Sequence, residues 1–267
     1  MKPVWLDHYP PGVPAEIDVS EFASLTEMLT QSCRRFAELP AFSNMGASMT
    51  YAELERSSRD FAAYLQQSLG LRKGERVAIM MPNLLQYPVA LLGVLRAGLV
   101  VVNVNPQYTA PELAHQLRDS GAAAIVVLEN FAHTLQEVLE KHPTLRPAVI
   151  TTEVGDMFPL VKELLVNVAV KYVKHMVPAW KIDGAVGFNH ALRLGHRQAL
   201  TEVVSTRDET AFLQYTGGTT GVAKGAVLTH GNLVANVLQV VAWMTRDLVE
   251  GKEVFVCPLP LYHVYAL

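Results

Sequence analysis

Four short apolar runs, residues 76–80, 99–104, 122–128 and 147–151, stand out in the first part of the chain. Each is partly β-branched and too short for a helix, which predicts strands. Around and between them apolar residues recur at helical spacing. Three helical stretches open on a Ser or Thr paired with a Glu in the third position after it: Ser24 with Glu27, Thr50 with Glu53, and Thr109 with Glu112. Such a pair satisfies free backbone donors at a helix start. Helices are therefore predicted over about 25–37, 51–69 and 110–119, with Gly70 and Gly121 ending the last two. Strands alternating with helices define an α/β class, a mostly parallel sheet flanked by helices on both faces. The candidate breaks are the Pro-rich start and a less regular stretch from about 178 to 208.

Two apolar segments admit more than one arrangement. Residues 84–104 are long enough to span a bilayer, but Gln86, Arg96 and Asn103 interrupt them. A buried helix ending at Arg96 to Gly98, followed by a strand over 99–104, accounts for them better. In residues 157–180, Val161, Leu164, Leu165, Val168 and Tyr172 share one helical face, with Lys162, Lys171, Lys174 and Trp180 nearby. Packing of that face on the sheet is the expected arrangement. The alternative is a helix lying in a membrane interface.

Further along, Phe212 to Tyr215 reads as a strand, and Gly225 to Thr229 as another. A helix then begins near Gly231 or Asn232 whose residues Leu233, Val237, Val240, Val241 and Met244 form a face expected to pack on the core. Between the strands lies TGGTTGVAKG, residues 216–225, with four glycines, three threonines and one lysine. Glycines let backbone N–H groups approach an anion closely, hydroxyls add donors, and Lys224 supplies compact positive charge, so a polyphosphate is a natural guest. The spacing is neither that of the nucleotide-triphosphatase P-loop nor that of the dinucleotide fingerprint. Composition alone leaves open a plain hairpin in which glycine only permits tight turning.

Composition narrows the remaining choices. Half the residues are hydrophobic, enough for a substantial core. Twenty-two Lys and Arg against 25 Asp and Glu, with no long run of either sign, give no electrostatic reason to expect nucleic acid. Cys33 and Cys257 are too few for a disulfide framework or zinc cluster, which makes a reducing cytosol the default. The opening residues lack the continuous apolar stretch of a signal peptide. His8, His115, His133, His142, His175, His190, His196 and His230 have no metal-ligand spacing. His230 follows the loop closely enough to approach a nucleotide, though its place at a helix start explains it as well.

The alternatives for the loop close once the whole string is compared. YTGGTTGVAKGAVLTHGNL, residues 215–233, resembles the phosphate-binding signature of the acyl-adenylate-forming, AMP-binding superfamily. Residues 81–122 and the string PLPLYHVYAL, residues 258–267, resemble segments of bacterial long-chain fatty-acyl-CoA synthetases. Ala223 departs from the pattern, since many members carry proline there. The resemblance implies a partial amino-terminal domain of the acyl-adenylate-forming fold: residues 1–267 as an incomplete adenylation domain, with the carboxy-terminal domain absent.

It further implies a two-step ligase that activates a long-chain fatty acid to acyl-AMP with ATP and then passes the acyl group to coenzyme A. Thr216, Gly217, Gly218, Thr219, Thr220, Gly221 and Lys224 would hold the phosphates, Thr216 would contribute to Mg2+, and His263 and Lys224 would act at the reacting centre. Tyr262 and Tyr265 would line the acyl tunnel, though ordinary core aromatics would look the same, and Leu267 stands where some relatives carry a gating tryptophan. The expected partners are the fatty acid, ATP and coenzyme A. Peripheral membrane contact, a homodimer, and a cytoplasmic location on the inner face of the membrane are further expectations. The remaining magnesium, ribose and coenzyme A contacts are expected outside this chain, so that it completes neither half-reaction alone.

Overall fold

A computed structural model describes residues 3–216, 222–244 and 248–264. In chain order, α1 is Leu25–Arg35, β1 Pro40–Asn44, β2 Ala47–Thr50, α2 Tyr51–Ala63, β3 Arg76–Met80, α3 Gln86–Arg96, β4 Val100–Asn103 and α4 Ala110–Ser120. They are followed by β5 Ala124–Leu128, α5 Ala132–Lys141, β6 Ala148–Thr152, α6 Leu160–Val168, β7 Val186–Gly187, α7 Phe188–His196, β8 Thr210–Thr216, β9 Lys224–Thr229 and α8 His230–Met244. β1 and β2 form a separate hairpin. The other strands make one sheet in the order β7-β6-β5-β3-β4-β8-β9, parallel throughout except for the β8–β9 pair.

The unbroken apolar runs have a simple cause. Side chains alternate along a strand, and this sheet is covered on both faces. Val77, Ile79, Val101, Val126 and Phe212 enter a core with α1, α2, α3, α7 and α8. Ala78, Met80, Val102, Ile125 and Val127 enter a second core with α4 and α5. A strand buried on both sides has no solvent face to encode.

The caps form largely as predicted. Thr50 and Glu53 make a complete capping box, and the Glu112 carboxylate accepts from the Thr109 N–H at 2.8 Å. Ser24 Oγ accepts from the Glu27 N–H at 3.1 Å, but the Glu27 carboxylate turns to the Ala23 N–H instead of completing the box. Gly98 and Gly121 take φ of +76° and +58°, the left-handed conformation a helix stop requires. The predicted helix over 51–69 is α-helical to Ala63 and finishes in a wider π turn, Tyr64–Ser68.

The segment from 84 is the expected buried helix and strand, α3 and β4, and among the described residues no helix is long and apolar enough to cross a membrane. Other expectations change. The face of α6 does not pack on the sheet: Leu160 is 80% exposed, Leu164 64%, Leu165 65% and, in the π turn that follows, Tyr172 66%. Only the opposite side is held, where Val166 meets Phe158 and Ala47. The helical period identified an apolar stripe, but periodicity carries no information on which neighbour covers it. In α8, the predicted face packs only in its first half. Leu233 and Val237 meet the core, Val240 and Val241 are exposed, and the most buried residue is Val234, at the edge of the predicted face. The irregular stretch from 178 to 208 contains α7, whose fully buried Phe188 lies 5.0 Å from Phe61 of α2, ring centre to ring centre.

Candidate functional site

In an open α/β sheet, ligands collect at the carboxyl ends of the strands where the winding reverses. Here β4 and β5 flank β3 on opposite sides, so the winding reverses at β3, and the carboxyl ends of β4 and β8 follow it on the β4 side of the sheet. Thr216 closes β8 at this edge, and Lys224 opens β9 directly opposite it in the antiparallel register. Both side chains are exposed. Gly217, Gly218, Thr219, Thr220 and Gly221 lie outside the described residues. The paired stems nevertheless define where the loop between them leaves and returns.

Helix α4 holds both stems. The Tyr215 hydroxyl donates to the Asp119 carboxylate at 2.5 Å, and His115 Nε2 lies 2.9 Å from the carbonyl of Ala223, so that in the tautomer carrying the proton on Nε2 the ring donates to it. Burial, and then the adjacent carboxylate, push the Tyr215 phenol well above its ordinary pKa, which keeps it a donor. The Tyr215 ring lies over Gly225, where an added Cβ would come within 3.0 Å of two ring carbons. A side chain at position 225 would therefore press on this ring.

The segment carrying His263 reaches the same edge. Asn83 Nδ2, just beyond β3, donates to the carbonyl of Leu259 at 2.8 Å, and its Oδ1 accepts from the Leu261 N–H at 2.7 Å. Tyr87 Oη lies 2.8 Å from the Leu261 carbonyl, and Gln214 Nε2 donates to the Tyr262 carbonyl at 3.0 Å. His263 follows immediately, exposed, with its N–H bonded to the Pro260 carbonyl at 2.9 Å. Tyr262 is half-buried against the core, while Tyr265 and Leu267 lie outside the described residues.

Thr216, Lys224 and the His263 segment are thus gathered at one end of the sheet. His230 is not exposed there. It is buried at the start of α8 with its N–H on the Glu209 carbonyl, and burial pushes its imidazole pKa down. Among the described residues, no group of three or more His, Cys, Asp or Glu is placed to hold a metal. The Thr216 hydroxyl is a hard oxygen donor of the kind that joins phosphate oxygens around Mg2+.

The sequence motifs did not reveal the residues that hold the site, namely Asn83, Tyr87, Asn103, Asp119 and Gln214. A signal was present in two of them: Asn103 and Gln214 are amides inside otherwise apolar strands, and a buried amide needs a partner.

The chain belongs to the AMP-binding enzyme family, which matches residues 29–267. Among its relatives, the long-chain-fatty-acid–CoA ligase of Salmonella typhimurium is 55% identical over all 267 residues, which cover 47% of that protein. The ligase of the same name from Bacillus subtilis is 35% identical over 98% of this chain and 46% of its own. Among solved structures, a long-chain-fatty-acid-CoA ligase from Archaeoglobus fulgidus superposes with a TM-score of 0.68 at 25% identity, over 96% of this chain and 45% of that one. Apo MbtA of Mycobacterium smegmatis gives 0.69 at 26%, over 91% and 40%. The chain spans about half the length of the curated relatives it matches.

Proposed function

We propose that this chain supplies the phosphate-binding part of an ATP-dependent long-chain fatty-acid–CoA ligase. The observation that carries the reading is the convergence of Thr216, Lys224 and the His263 segment on one sheet edge. A carboxylate is a poor acyl electrophile, and adenylation gives it a good leaving group. In the first step a carboxylate oxygen attacks the α-phosphorus of ATP, and the bond from that phosphorus to pyrophosphate breaks. In the second, the sulfur of coenzyme A attacks the acyl carbon, AMP departs with the electron pair, and the thiol proton goes to solvent. The protein's task is to orient two anions and to meet charge growing on pyrophosphate.

Lys224 and the loop backbone would steady the phosphates, with the Thr216 hydroxyl as one ligand for the Mg2+ they carry. His263 would donate to the α-phosphate region. The test is fatty-acid-dependent exchange of pyrophosphate into ATP, using a polypeptide that continues this chain to the length of its relatives. A panel of long, short, aromatic and amino acids should show exchange with long-chain acids. Exchange with another acid class alone would move the reading to a different adenylating ligase, and none with any acid would leave a binding module. Since the chain spans about half of its relatives, the 267 residues alone are expected to form no acyl-AMP.

A cytoplasmic enzyme touching the inner face of the membrane is the accompanying proposal. Cys33 and Cys257 are both free, which suits a reducing compartment. The exposed apolar stripe of α6 and its π turn has the exposed Lys174 beside it, while Lys162 and Lys171 turn to the Met45 carbonyl and to Glu129, and an apolar helical face of this kind suits a membrane interface. Such a contact would bring the enzyme to a substrate dissolved in lipid. The full-length polypeptide should float with vesicles containing phosphatidylglycerol, and Leu164→Asp with Leu165→Asp should abolish this. Equal flotation of wild type and variant would remove α6 from the proposal, and no flotation of either would remove the membrane.

A further inference from the structure

Between the β8 strand and the histidine segment runs a chain of buried amides. Tyr87 Oη donates to Asn103 Oδ1 at 2.7 Å, Asn103 Nδ2 donates to Gln214 Oε1 at 3.0 Å, and Gln214 Nε2 donates to the Tyr262 carbonyl at 3.0 Å. Tyr87, Asn103 and Gln214 are all at least 95% buried. The direction of every bond is dictated from one end. The Tyr262 carbonyl can only accept, so Gln214 must turn its amino group toward it. The Gln214 oxygen then faces Asn103, which turns its own amino group in reply and presents its oxygen to Tyr87.

The phenol has one proton and two acceptors within reach, Asn103 Oδ1 and the Leu261 carbonyl at 2.8 Å. One end of the chain thus lands on the Tyr262 carbonyl, and at the other the phenol proton lies between Asn103 Oδ1 and the neighbouring Leu261 carbonyl. Gln116 of α4 also holds the middle, donating to the Asn103 carbonyl at 2.8 Å.

These amides add little to packing that apolar residues could not supply, and each would be costly to bury unpaired. What they provide is a fixed geometry. Gln214 stands two residues before Thr216 in β8, so a single side chain links the strand that launches the glycine-rich loop to the residue preceding His263. We infer that Tyr87, Asn103 and Gln214 are positioning residues that lock the His263 segment in register with β8, the strand that ends at Thr216. Their role in turnover is exerted through His263. This inference rests on the adenylation reading for its effect on rate, but not for the tether itself.

The test uses the full-length polypeptide and a double-mutant design. Gln214→Met keeps the side-chain length and removes the amide, and Tyr87→Phe removes only the hydroxyl. Each should lower kcat of fatty-acid-dependent pyrophosphate exchange about tenfold, with KM for ATP changed by less than about twofold. In a His263→Ala background, the same substitutions should lower kcat by no more than about twofold further, because the residue they position is gone. Equal losses in both backgrounds, or no loss in either single variant, would overturn the inference while wild-type exchange left the adenylation reading intact.

Hydrogen exchange provides an arm that needs no turnover. The N–H groups of Leu261 and His263 are bonded in the native fold. They should exchange at least about tenfold faster in Tyr87→Phe and Gln214→Met, with amides of β3 and β5 unchanged. Unaltered exchange of Leu261 and His263 would refute the tether even if the enzyme proved inactive. A wild type without pyrophosphate exchange would instead refute the adenylation reading.

Discussion

Replacing Gly225 with Ala is a sharp test of how the loop stems are built. Gly225 sits in ordinary strand backbone, and alanine is intrinsically better than glycine there by about 0.5–1 kcal/mol, so a reading that ignored the neighbour would expect stabilisation. The structure predicts the opposite sign. The new Cβ would lie 3.0 Å from Cε2 and Cζ of Tyr215 and 3.4 Å from its hydroxyl. Carbon atoms rest at about 3.5–4.0 Å, so the ring must retreat by roughly 0.5 Å.

It has little room to do so. Tyr215 is only 8% exposed within the core beneath α4, and its hydroxyl is held by Asp119 at 2.5 Å. Overpacking of this kind costs about 1–3 kcal/mol, and stretching the bond to the carboxylate adds to it. After the backbone gain, the net loss should be about 2 kcal/mol, a fall in Tm of roughly 4–8 °C. Thermal unfolding followed by far-ultraviolet circular dichroism measures this directly. In a Tyr215→Leu background the same Ala should cost less than about 0.5 kcal/mol, since the obstacle is absent. An unchanged or raised Tm for Gly225→Ala, or the same loss in both backgrounds, would refute the ring as the obstacle at this position.

Other outcomes follow from single sites. Lys224→Ala in the full-length polypeptide should lower kcat/KM for ATP in pyrophosphate exchange about 100-fold, a change well below tenfold arguing against a phosphate contact. Arg96, 7% exposed, donates to Glu55 Oε1 at 2.6 Å and to the Glu55 carbonyl and Ser58 hydroxyl from its other nitrogen. Arg96→Met should therefore cost about 3 kcal/mol in urea unfolding and Glu55→Gln clearly less, because glutamine can still accept; equal costs would contradict the account. Burial raises the Asp156 carboxyl to about 6, with the Glu153 and Glu163 charges adding to it against its bonds from Thr152 and the Glu153 N–H. Between about pH 4 and 6 the folded state then holds a proton that the unfolded state has lost, so this group's contribution to stability falls as pH rises through that window. Asp156→Asn should flatten the pH dependence there by about 2 kcal/mol, and an unchanged slope would show that Asp156 titrates normally.

Local structure was largely legible in the chain itself, for a physical reason. Strands buried on two faces need apolar residues at most positions, and helix starts need donors satisfied within a few residues, so 77–80 and Thr50 with Glu53 report their own roles. The glycine and threonine string likewise carries its chemistry in its backbone freedom and hydroxyls. What covers an apolar stripe is a property of neighbours distant in the chain. That is why the α6 face, expected to pack, stands exposed, and why α8 buries Val234 while Val240 and Val241 face outward. The partners of buried polar groups are equally non-local. Asn103 and Gln214 announce in the sequence only that each needs a hydrogen bond, and the fold, by laying β4 beside β8 and the segment before His263 across their ends, decides that they bond to each other and to Tyr262.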